Sequence, residues 1–358
     1  MIIAGFLLIF QSTNAQQNFL DLTAILEQKK QLLGKDLVMM VANKDTIIYK
    51  KEMGEFKSKT AAPIASASKW LTAALVMAIV DEGKISLDDK VVTYLPEFGK
   101  YFKNYITIRQ CLGHMTGISD ESGGLLKKLA NRRKFETLEE EVNSFAAREI
   151  QAKPGAEFRY SNMGLNIAGR ILEVVTKKKF DQLAKTKLFA PLGMRQTSFT
   201  NIDMSAVNPS GGAKSTADDY MKFLTMLLNK GNYKGKQILS EESLEALMQI
   251  QTTSDQIKYA PKSAEGFNYA SGSWVIEEKE SPLPELRSQS SKDSIAPGGG
   301  RVATALASPG LFGTWPMIDY CRGYAYIVFV KNFLGEERAG AHIEIKEVVD
   351  AQFAAECN

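Results

Sequence analysis

Strand-like segments lie near both ends of this chain, and a long stretch of mostly helical pattern separates them. Near the N-terminus, Leu37–Asn43 and Thr46–Lys50 are apolar or β-branched runs on either side of a polar turn, which predicts a hairpin. Further strands are predicted at Ser271–Ile276, Val302–Ala307 and Tyr324–Val330. This distribution predicts an α+β fold, in which one antiparallel β-sheet is assembled from distant parts of the chain and flanked by helices.

The middle of the chain, from Ser66 to about residue 250, is predicted to be largely helical. The helical patterns cover Lys69–Asp81, Leu138–Glu149, Gly164–Thr176, Ala217–Asn229 and Glu241–Ile250, and a last one covers Ile343–Phe353. We therefore expect one domain over residues 16–358. Its sheet-containing parts would span about 16–83 and 209–358, with a mainly helical insert at about 84–208.

The first fifteen residues have the pattern of a secretory signal peptide. An apolar run from Ile2 to Phe10 is followed by a polar stretch and by the small residue Ala15. The run is too short to span a bilayer as an anchor, and later apolar stretches, such as the one from Leu71 to Val80, are also too short. The sequence therefore predicts an exported, periplasmic or extracellular protein that begins at Gln16 and has no membrane anchor after cleavage of residues 1–15.

Histidine and cysteine are scarce, which limits the chemistry that this chain can perform. The chain has only two histidines, His114 and His342, whereas zinc sites and nucleophiles activated by histidine need more such residues, closer together. We therefore expect no zinc site and a catalytic base other than histidine. The three cysteines, Cys111, Cys321 and Cys357, leave at least one thiol unpaired within the chain.

Ser66 and Lys69 are the most informative pair of residues. A serine and a lysine three apart at the start of a helix lie on the same face, so that the lysine can reach the hydroxyl. The helix that follows, Trp70–Val80, is apolar on nearly all sides, which predicts a buried central helix. Burial can lower the proton affinity of a lysine enough for it to act as a base. The alternative interpretation is a capping serine followed by a surface lysine.

A second candidate pair is Tyr160 and Asn162, which follow a Pro-Gly turn and precede a predicted helix. Residues two apart in an extended or turn segment point to the same side, so both can face one cleft. A tyrosine beside an ammonium can relay protons in a phenolate-like form, and an asparagine can orient a substrate amide or carbonyl. The alternative is a tyrosine packed on the core and an asparagine that caps the helix.

These two pairs resemble the first two motifs of the serine β-lactamase and penicillin-binding-protein superfamily, in particular the class C β-lactamase-like hydrolases and esterases. Further similar segments, in the order of that family, are Ile106–Gly117, Pro154–Gly155, Pro191–Met194, Gly211–Gly212 and Ser215–Asp219. The resemblance implies that Ser66 is the nucleophile, Lys69 its base partner, Tyr160 the proton relay to the leaving group and Asn162 a substrate-orienting residue. His114 falls in a segment that is structural in the family, so we expect a core or turn residue there.

The third motif departs from the family pattern. The family has Lys-Thr-Gly, His-x-Gly or Trp-x-Gly on the strand that lines the cleft, and Ser308-Pro309-Gly310 stands at the corresponding place. The resemblance implies that Ser308 and Gly310 contact the substrate and that the N–H groups of Ser66 and Leu311 form the oxyanion hole. An ordinary Ser-Pro-Gly turn outside the motif is the alternative.

The missing cation affects the expected substrate. A neutral serine hydroxyl binds a carboxylate less strongly than a lysine or histidine does, although Arg301 or Lys292 could supply a charge from the loop. We therefore predict an exported serine hydrolase that acts on an ester or amide through an acyl-enzyme on Ser66. This mechanism requires no metal and no organic cofactor. A β-lactamase or D-Ala-D-Ala carboxypeptidase is an alternative, and a non-hydrolytic, penicillin-binding-like sensor or binding module is an alternative of another class.

The expected partners follow from the same reasoning. The substrate is predicted to be a small-molecule ester, amide or peptide. The formal charge of only +3, from 44 Lys and Arg against 41 Asp and Glu, gives no indication of a nucleic-acid partner. The sequence leaves the oligomeric state open.

Overall fold

The computed structural model describes residues 19–120, 135–199, 205–280, 301–330 and 338–357. The predicted signal peptide and Lys292 lie outside these residues. The longer strands are β1 (Leu37–Asn43), β2 (Ile47–Met53), β10 (Trp274–Glu280), β11 (Arg301–Ala307), β12 (Trp315–Asp319) and β13 (Tyr324–Val330). The short strands are β3 (Ala62–Pro63), β4 (Phe158–Arg159), β5 (Lys214–Ser215), β6 (Asn232–Tyr233), β7 (Lys236–Gln237), β8 (Ile257–Tyr259) and β9 (Asn268–Tyr269).

Helices make up most of the remaining regular structure. The long ones are α1 (residues 19–33), α2 (Ser68–Asp81), α6 (Leu138–Ala146), α7 (Met163–Thr176), α10 (Ala217–Leu228), α11 (Glu241–Met248) and α12 (Ala339–Asp350). The short ones are α3 (Val91–Tyr94), α4 (Glu97–Lys100), α5 (Ile108–Leu112), α8 (Phe180–Ala184) and α9 (Ala190–Leu192). A π-helical turn covers Lys185–Phe189, and 3₁₀ turns cover Ala65–Ala67, Ser254–Gln256 and Lys262–Ala264.

One seven-stranded antiparallel sheet organises the molecule, with the strand order β2-β1-β13-β12-β11-β10-β9. Strand β1 pairs with β13, which is the last of these strands in the chain, so that Leu37 lies opposite Val330 and Asn43 lies opposite Tyr324. The prediction of an α+β fold, with an antiparallel sheet assembled from both ends of the chain and flanked by helices, is confirmed. Between residues 84 and 208 the described elements are helical except β4; the division at these bounds stays a prediction.

Both faces of the sheet are buried. On one face, Val38, Met40 and Ala42 of β1 pack into the core that contains α2 and α10. On the other face, the intervening β1 residues pack against α1 and α12, which together contribute Leu22, Leu26, Leu33, Ala341, Ile345 and Val349. Because the first six residues of β1 are buried on one face or the other, the strand is a nearly continuous hydrophobic run rather than an alternating one.

Helix α2 is the centre of the helical side, as its apolar sequence predicts. Every residue from Ser68 to Ile79 is buried. The helix contacts α7 and α11, and the Trp70 ring packs edge-on against Phe223 of α10 at 6.0 Å between centroids. A residue at the N-terminus of α2 is therefore positioned by the core of the whole domain.

Two of the longer elements were not predicted from the sequence. Strand β12 contains Pro316, a residue that strand interiors usually exclude, and it follows a segment rich in glycine and proline. Helix α1 covers residues 19–33; the spacing of Leu22, Leu26 and Leu33 along one face is the signal that could have found it. Within the described ranges, no helix is long and apolar enough to cross a membrane.

The cysteines divide into one disulfide and one thiol. Cys321, in the turn between β12 and β13, is bonded to Cys357 near the end of the chain. Cys111 in α5 is a buried free thiol, and burial raises the pKa of that thiol. The prediction that at least one cysteine is unpaired is confirmed.

Candidate active site

Ser66 lies in the 3₁₀ turn that leads into α2. Its neighbour Ala65 has a φ of 45°, a left-handed conformation that is unfavourable for any residue with a Cβ atom. Such strained residues persist where the surrounding structure holds them, and they cluster at functional sites. The bend places the Ser66 hydroxyl at the N-terminal end of α2, where the Lys69 Nζ lies 3.3 Å from the Ser66 Oγ.

Lys69 is completely buried, so the alternative interpretation as a surface lysine is wrong. Its Nζ donates to the Asn162 Oδ1 at 3.1 Å and to the backbone carbonyl oxygen of Ser210 at 2.9 Å. The same ammonium lies 4.8 Å from the centre of the Tyr160 ring. These contacts of the Lys69 nitrogen with Ser66, Asn162 and Tyr160 join the first two predicted motifs.

Asn162 is the N-cap residue of α7, but its side chain makes no capping hydrogen bond. Its Oδ1 accepts from Lys69 instead. The interpretation of Asn162 as an ordinary capping residue is therefore wrong, and the structure brings its amide to the predicted site.

Tyr160 is held by a short parallel pair of strands. Strand β4, which ends one residue before Tyr160, pairs with β8, and the Tyr160 N–H donates to the Tyr259 carbonyl oxygen at 3.0 Å. Burial raises the pKa of Tyr160 above its ordinary value, while an interaction with the Ser66 side chain acts in the opposite direction. The geometry favours a neutral phenol in the resting protein rather than the phenolate-like form expected from the sequence.

The third predicted motif also reaches the Ser66 turn. A Cβ atom added to Gly310 would lie 2.1 Å from the Ile64 carbonyl oxygen and 3.5 Å from the Ala67 nitrogen. Only glycine lets this segment pack so closely against the turn. The Ser308 hydroxyl donates to the Gly272 carbonyl oxygen at 3.1 Å and lies 3.5 Å from the Ser66 carbonyl oxygen.

Ser308 is buried, and it connects the end of β11 to the Ser66 turn. Its hydroxyl proton is donated to a backbone carbonyl oxygen. Only its lone pairs remain for a substrate. Its role in substrate binding stays a prediction, and the same holds for Gly310.

A tight turn follows Gly310. The Gly310 N–H donates to the Thr314 carbonyl oxygen at 2.7 Å, and the Gly313 N–H donates to the Gly310 carbonyl oxygen at 2.9 Å. Within the described ranges, the backbone N–H groups of Ser66 and Leu311 donate to no protein oxygen. Both are therefore available to a ligand, as the predicted oxyanion hole requires, and that assignment stays a prediction.

Arg301 does not replace the missing cation. It begins β11, seven residues before Ser308, which corresponds to about 20 Å along an extended strand. Its guanidinium forms an ion pair with Glu278 on the neighbouring strand. The suggestion that Arg301 supplies the charge is therefore wrong, because the sheet holds the guanidinium too far from Ser308.

Two contributors to the site were missed from the sequence. The Ser210 carbonyl is a backbone group, which no residue pattern identifies as a partner of Lys69. Gly272 has a φ of 80°, and a Cβ atom there would lie 2.8 Å from both the Lys69 carbonyl oxygen and the Ala73 Cβ. An isolated glycine at the start of a predicted strand was the available signal, since such glycines often mark close backbone approach.

The chain was compared with known proteins. The model of the Beta-lactamase family matches residues 28–350. Protein flp of Staphylococcus aureus (strain MW2) is 31% identical over 139 residues, which is 38% of this chain and 27% of flp. The chain therefore matches about a quarter of the length of that relative.

Two solved structures resemble the whole fold. One, from Bacteroides dorei DSM 17855, is 26% identical with a TM-score of 0.73, covering 93% of this chain and 98% of the other. The other is EstCE1, a hydrolase with promiscuous acyltransferase activity, which is 19% identical with a TM-score of 0.75, covering 94% and 99% of the two chains.

Proposed function

Because this chain belongs to the beta-lactamase family of serine hydrolases, we propose that it hydrolyses an ester or amide through an acyl-enzyme formed on Ser66. The observation that carries the proposal is the buried Lys69 nitrogen, which lies 3.3 Å from the Ser66 Oγ and is also bonded to Asn162. A lysine placed in this way has little structural use, since burying an ammonium is costly. It is suited to taking a proton from the adjacent hydroxyl.

In the acylation step, Lys69 in its neutral amine form accepts the Ser66 proton while the Oγ attacks the substrate carbonyl carbon. The free N–H groups of Ser66 and Leu311 stabilise the oxyanion. When the bond from the carbonyl carbon to the leaving group breaks, the Tyr160 hydroxyl gives its proton to the leaving oxygen or nitrogen and takes up the proton that Lys69 received from Ser66. Water then adds to the acyl carbon, the bond from that carbon to the Ser66 Oγ breaks, one proton of the water goes to the Ser66 Oγ, and the acid leaves.

A fluorophosphonate probe, which reacts with activated serines, tests the assignment of the nucleophile. We expect wild type to be labelled and Ser66→Ala not to be labelled. Ser68→Ala is the matched control, because Ser68 lies two residues away but its Oγ accepts the Ala213 N–H at 3.0 Å. Equal labelling of wild type and Ser66→Ala would exclude Ser66 as the nucleophile.

We further propose that neutral esters are cleaved more readily than β-lactams. The family cation is replaced by Ser308, whose hydroxyl donates to the Gly272 carbonyl oxygen, and Arg301 is held by Glu278. Neither Ser308 nor Arg301 therefore supplies a side-chain cation for a substrate carboxylate. Comparing kcat/KM for short-chain p-nitrophenyl esters and for nitrocefin tests this preference, and efficient nitrocefin turnover would contradict it.

A binding or sensor module that is acylated without turnover is the second candidate, since the same contacts would support acylation. Intact-mass spectrometry separates the two functions. Steady release of p-nitrophenol that is lost in Ser66→Ala supports the hydrolase, whereas a persistent acyl adduct with no turnover supports the sensor.

We also propose that the protein is exported, with residues 1–15 removed. The disulfide between Cys321 and Cys357 supports this proposal, because disulfides persist mainly in oxidising compartments. N-terminal sequencing of the protein from fractionated cells tests it. The expected product begins at Gln16 outside the cytoplasm, and an uncleaved cytoplasmic protein would contradict it.

A further inference from the structure

His114 contacts the chain on both sides of Tyr160. Its carbonyl oxygen accepts the Arg159 N–H at 3.1 Å, and its side-chain Nδ1 accepts the Ser161 N–H at 3.4 Å. Its ring lies 4.7 Å from the Tyr160 ring between centroids. His114 therefore contacts Arg159, Tyr160 and Ser161, the three consecutive residues around the proposed proton relay.

The hydrogen bonds define the state of the imidazole. Because the Nδ1 accepts a hydrogen bond, it carries a lone pair, and the ring proton is on the Nε2. The Nε2 lies 3.1 Å from the Tyr269 hydroxyl oxygen and donates to it. Burial and the positive charge of Lys69 lower the pKa of His114, which maintains this neutral tautomer.

The backbone fixes the direction of the ring. His114 has a φ of 56°, in the left-handed region that asparagine and histidine tolerate better than most residues. Its ring is also packed edge-on against Phe158, at 5.6 Å between centroids. The imidazole therefore cannot move away from Tyr160 without disturbing the aromatic cluster around it.

We propose that His114 is a positioning residue for Tyr160, which holds the phenol in the geometry needed to exchange a proton with Ser66 and Lys69. In this role it neither contacts substrate nor transfers a proton during the reaction. This inference rests on the proposed hydrolase function, and it goes beyond the expectation of a core or turn residue. It also explains how a site whose base is lysine uses one of the only two histidines of the chain.

Two variants of His114 separate the hydrogen bond from general packing. In His114→Asn, the side-chain oxygen can replace the Nδ1 as an acceptor, and asparagine tolerates the left-handed backbone. In His114→Leu, the Ser161 N–H loses its acceptor. Because a displacement of about 1 Å can cost about 100-fold in rate, we expect kcat for an ester to fall by about 10- to 100-fold in His114→Leu. We expect KM to change little and His114→Asn to recover most of the loss.

A double-mutant comparison identifies the residue through which His114 acts. In a Tyr160→Phe background, His114→Leu should cause little further loss of kcat, since the hydroxyl that His114 positions is already absent. If His114→Leu lowers kcat by the same factor in both backgrounds, or if a folded His114→Asn is as inactive as His114→Leu, the positioning role is wrong.

Nitrogen-15 NMR of the imidazoles in the wild-type protein gives a test that needs neither activity nor a folded variant of His114. We expect His114 to show an unprotonated Nδ1 and a protonated Nε2 at pH 7, with the second signal assigned to His342 by its loss in His342→Phe. The Nδ1–H tautomer, or a doubly protonated ring, would overturn the proposal. A wild type without Ser66-dependent hydrolysis would instead refute the proposed function and leave the NMR result unaffected.

Discussion

A Cβ atom added to Gly310 would lie 2.1 Å from the carbonyl oxygen of Ile64, two residues before Ser66. This contact joins the end of the central sheet to the turn that carries the proposed nucleophile. The carbonyl belongs to the backbone and cannot rotate away as a side chain could, so any larger residue must displace one segment from the other. The contact therefore fixes where the Leu311 N–H stands relative to the Ser66 hydroxyl.

The first prediction concerns this contact. Gly310→Ala should lower kcat for an ester by about 10- to 100-fold, because a displacement near 1 Å misplaces the oxyanion donor relative to the Ser66 Oγ. It should also reduce the free energy of unfolding by about 1–3 kcal/mol through overpacking. Gly340→Ala in α12 is the control, since a Cβ there meets nothing within 4 Å and alanine favours the helix. Unchanged kcat in Gly310→Ala would show that the contact does not position the site.

The second prediction concerns Tyr160. Tyr160→Phe keeps the ring packing and should lower ester hydrolysis by about 10²- to 10⁴-fold, the usual contribution of a proton-transfer group. Because burial raises the pKa of Tyr160, the phenol should stay protonated up to and beyond pH 10. The wild-type profile of kcat/KM against pH should therefore show no change from Tyr160 ionisation below pH 10. An ionisation near neutral pH that is present in the wild-type profile and absent from the Tyr160→Phe profile would contradict a neutral Tyr160 phenol.

The third prediction concerns acid stability. His342 is buried and stacks on Trp315 at 4.1 Å between ring centroids, and neither ring nitrogen has a hydrogen-bond partner within the described ranges. Burial lowers the pKa of His342 to about 3, whereas an unfolded histidine has a pKa of about 6.5. The unfolded state therefore takes up a proton first, and the free energy of unfolding decreases as the pH falls from about 6.5 to about 3.

Between pH 6.5 and pH 5 this decrease should amount to about 2 kcal/mol for His342. Urea unfolding at the two pH values measures it in wild type and in His342→Phe. In His342→Phe, the decrease in the free energy of unfolding that is due to His342 should be absent. The decrease that is due to His114, whose pKa is also lowered by burial, should remain. The same pH dependence in both proteins would contradict a neutral, buried His342.

The fourth prediction concerns the disulfide. Cys321 and Cys357 are 36 residues apart, and their bond ties the end of the chain to the turn after β12. Cys357→Ser should lower the free energy of unfolding by about 2–4 kcal/mol, as is typical for the loss of a native disulfide. Dithiothreitol should lower the melting temperature of wild type and of the control Cys111→Ala, but not that of Cys357→Ser. An unaffected wild type would show that the bond does not stabilise the fold.

The sequence by itself determined the local structure. The spacing of Ser66 and Lys69 on one helical face, the apolar character of α2 and the bounds of β13 follow from short-range periodicity, which depends only on neighbouring residues. This kind of reasoning missed two of the longer elements. One is β12, which contains Pro316, and the other is the helix over residues 19–33. For β12, contacts with the neighbouring strands rather than local preference decide the structure, whereas the helix over residues 19–33 carries its own signal in the spacing of its leucines.

Only the tertiary structure decided how the site is assembled. The partners of Lys69 are 93 and 141 residues away in the chain, and Ser308 reaches the Ser66 carbonyl oxygen across 242 residues. Several of these partners are backbone carbonyls, which every residue has, so no side-chain pattern can identify them. The position of His114 behind Tyr160 is decided in the same way, because it arises where the loop after α5 meets β4 in the folded chain.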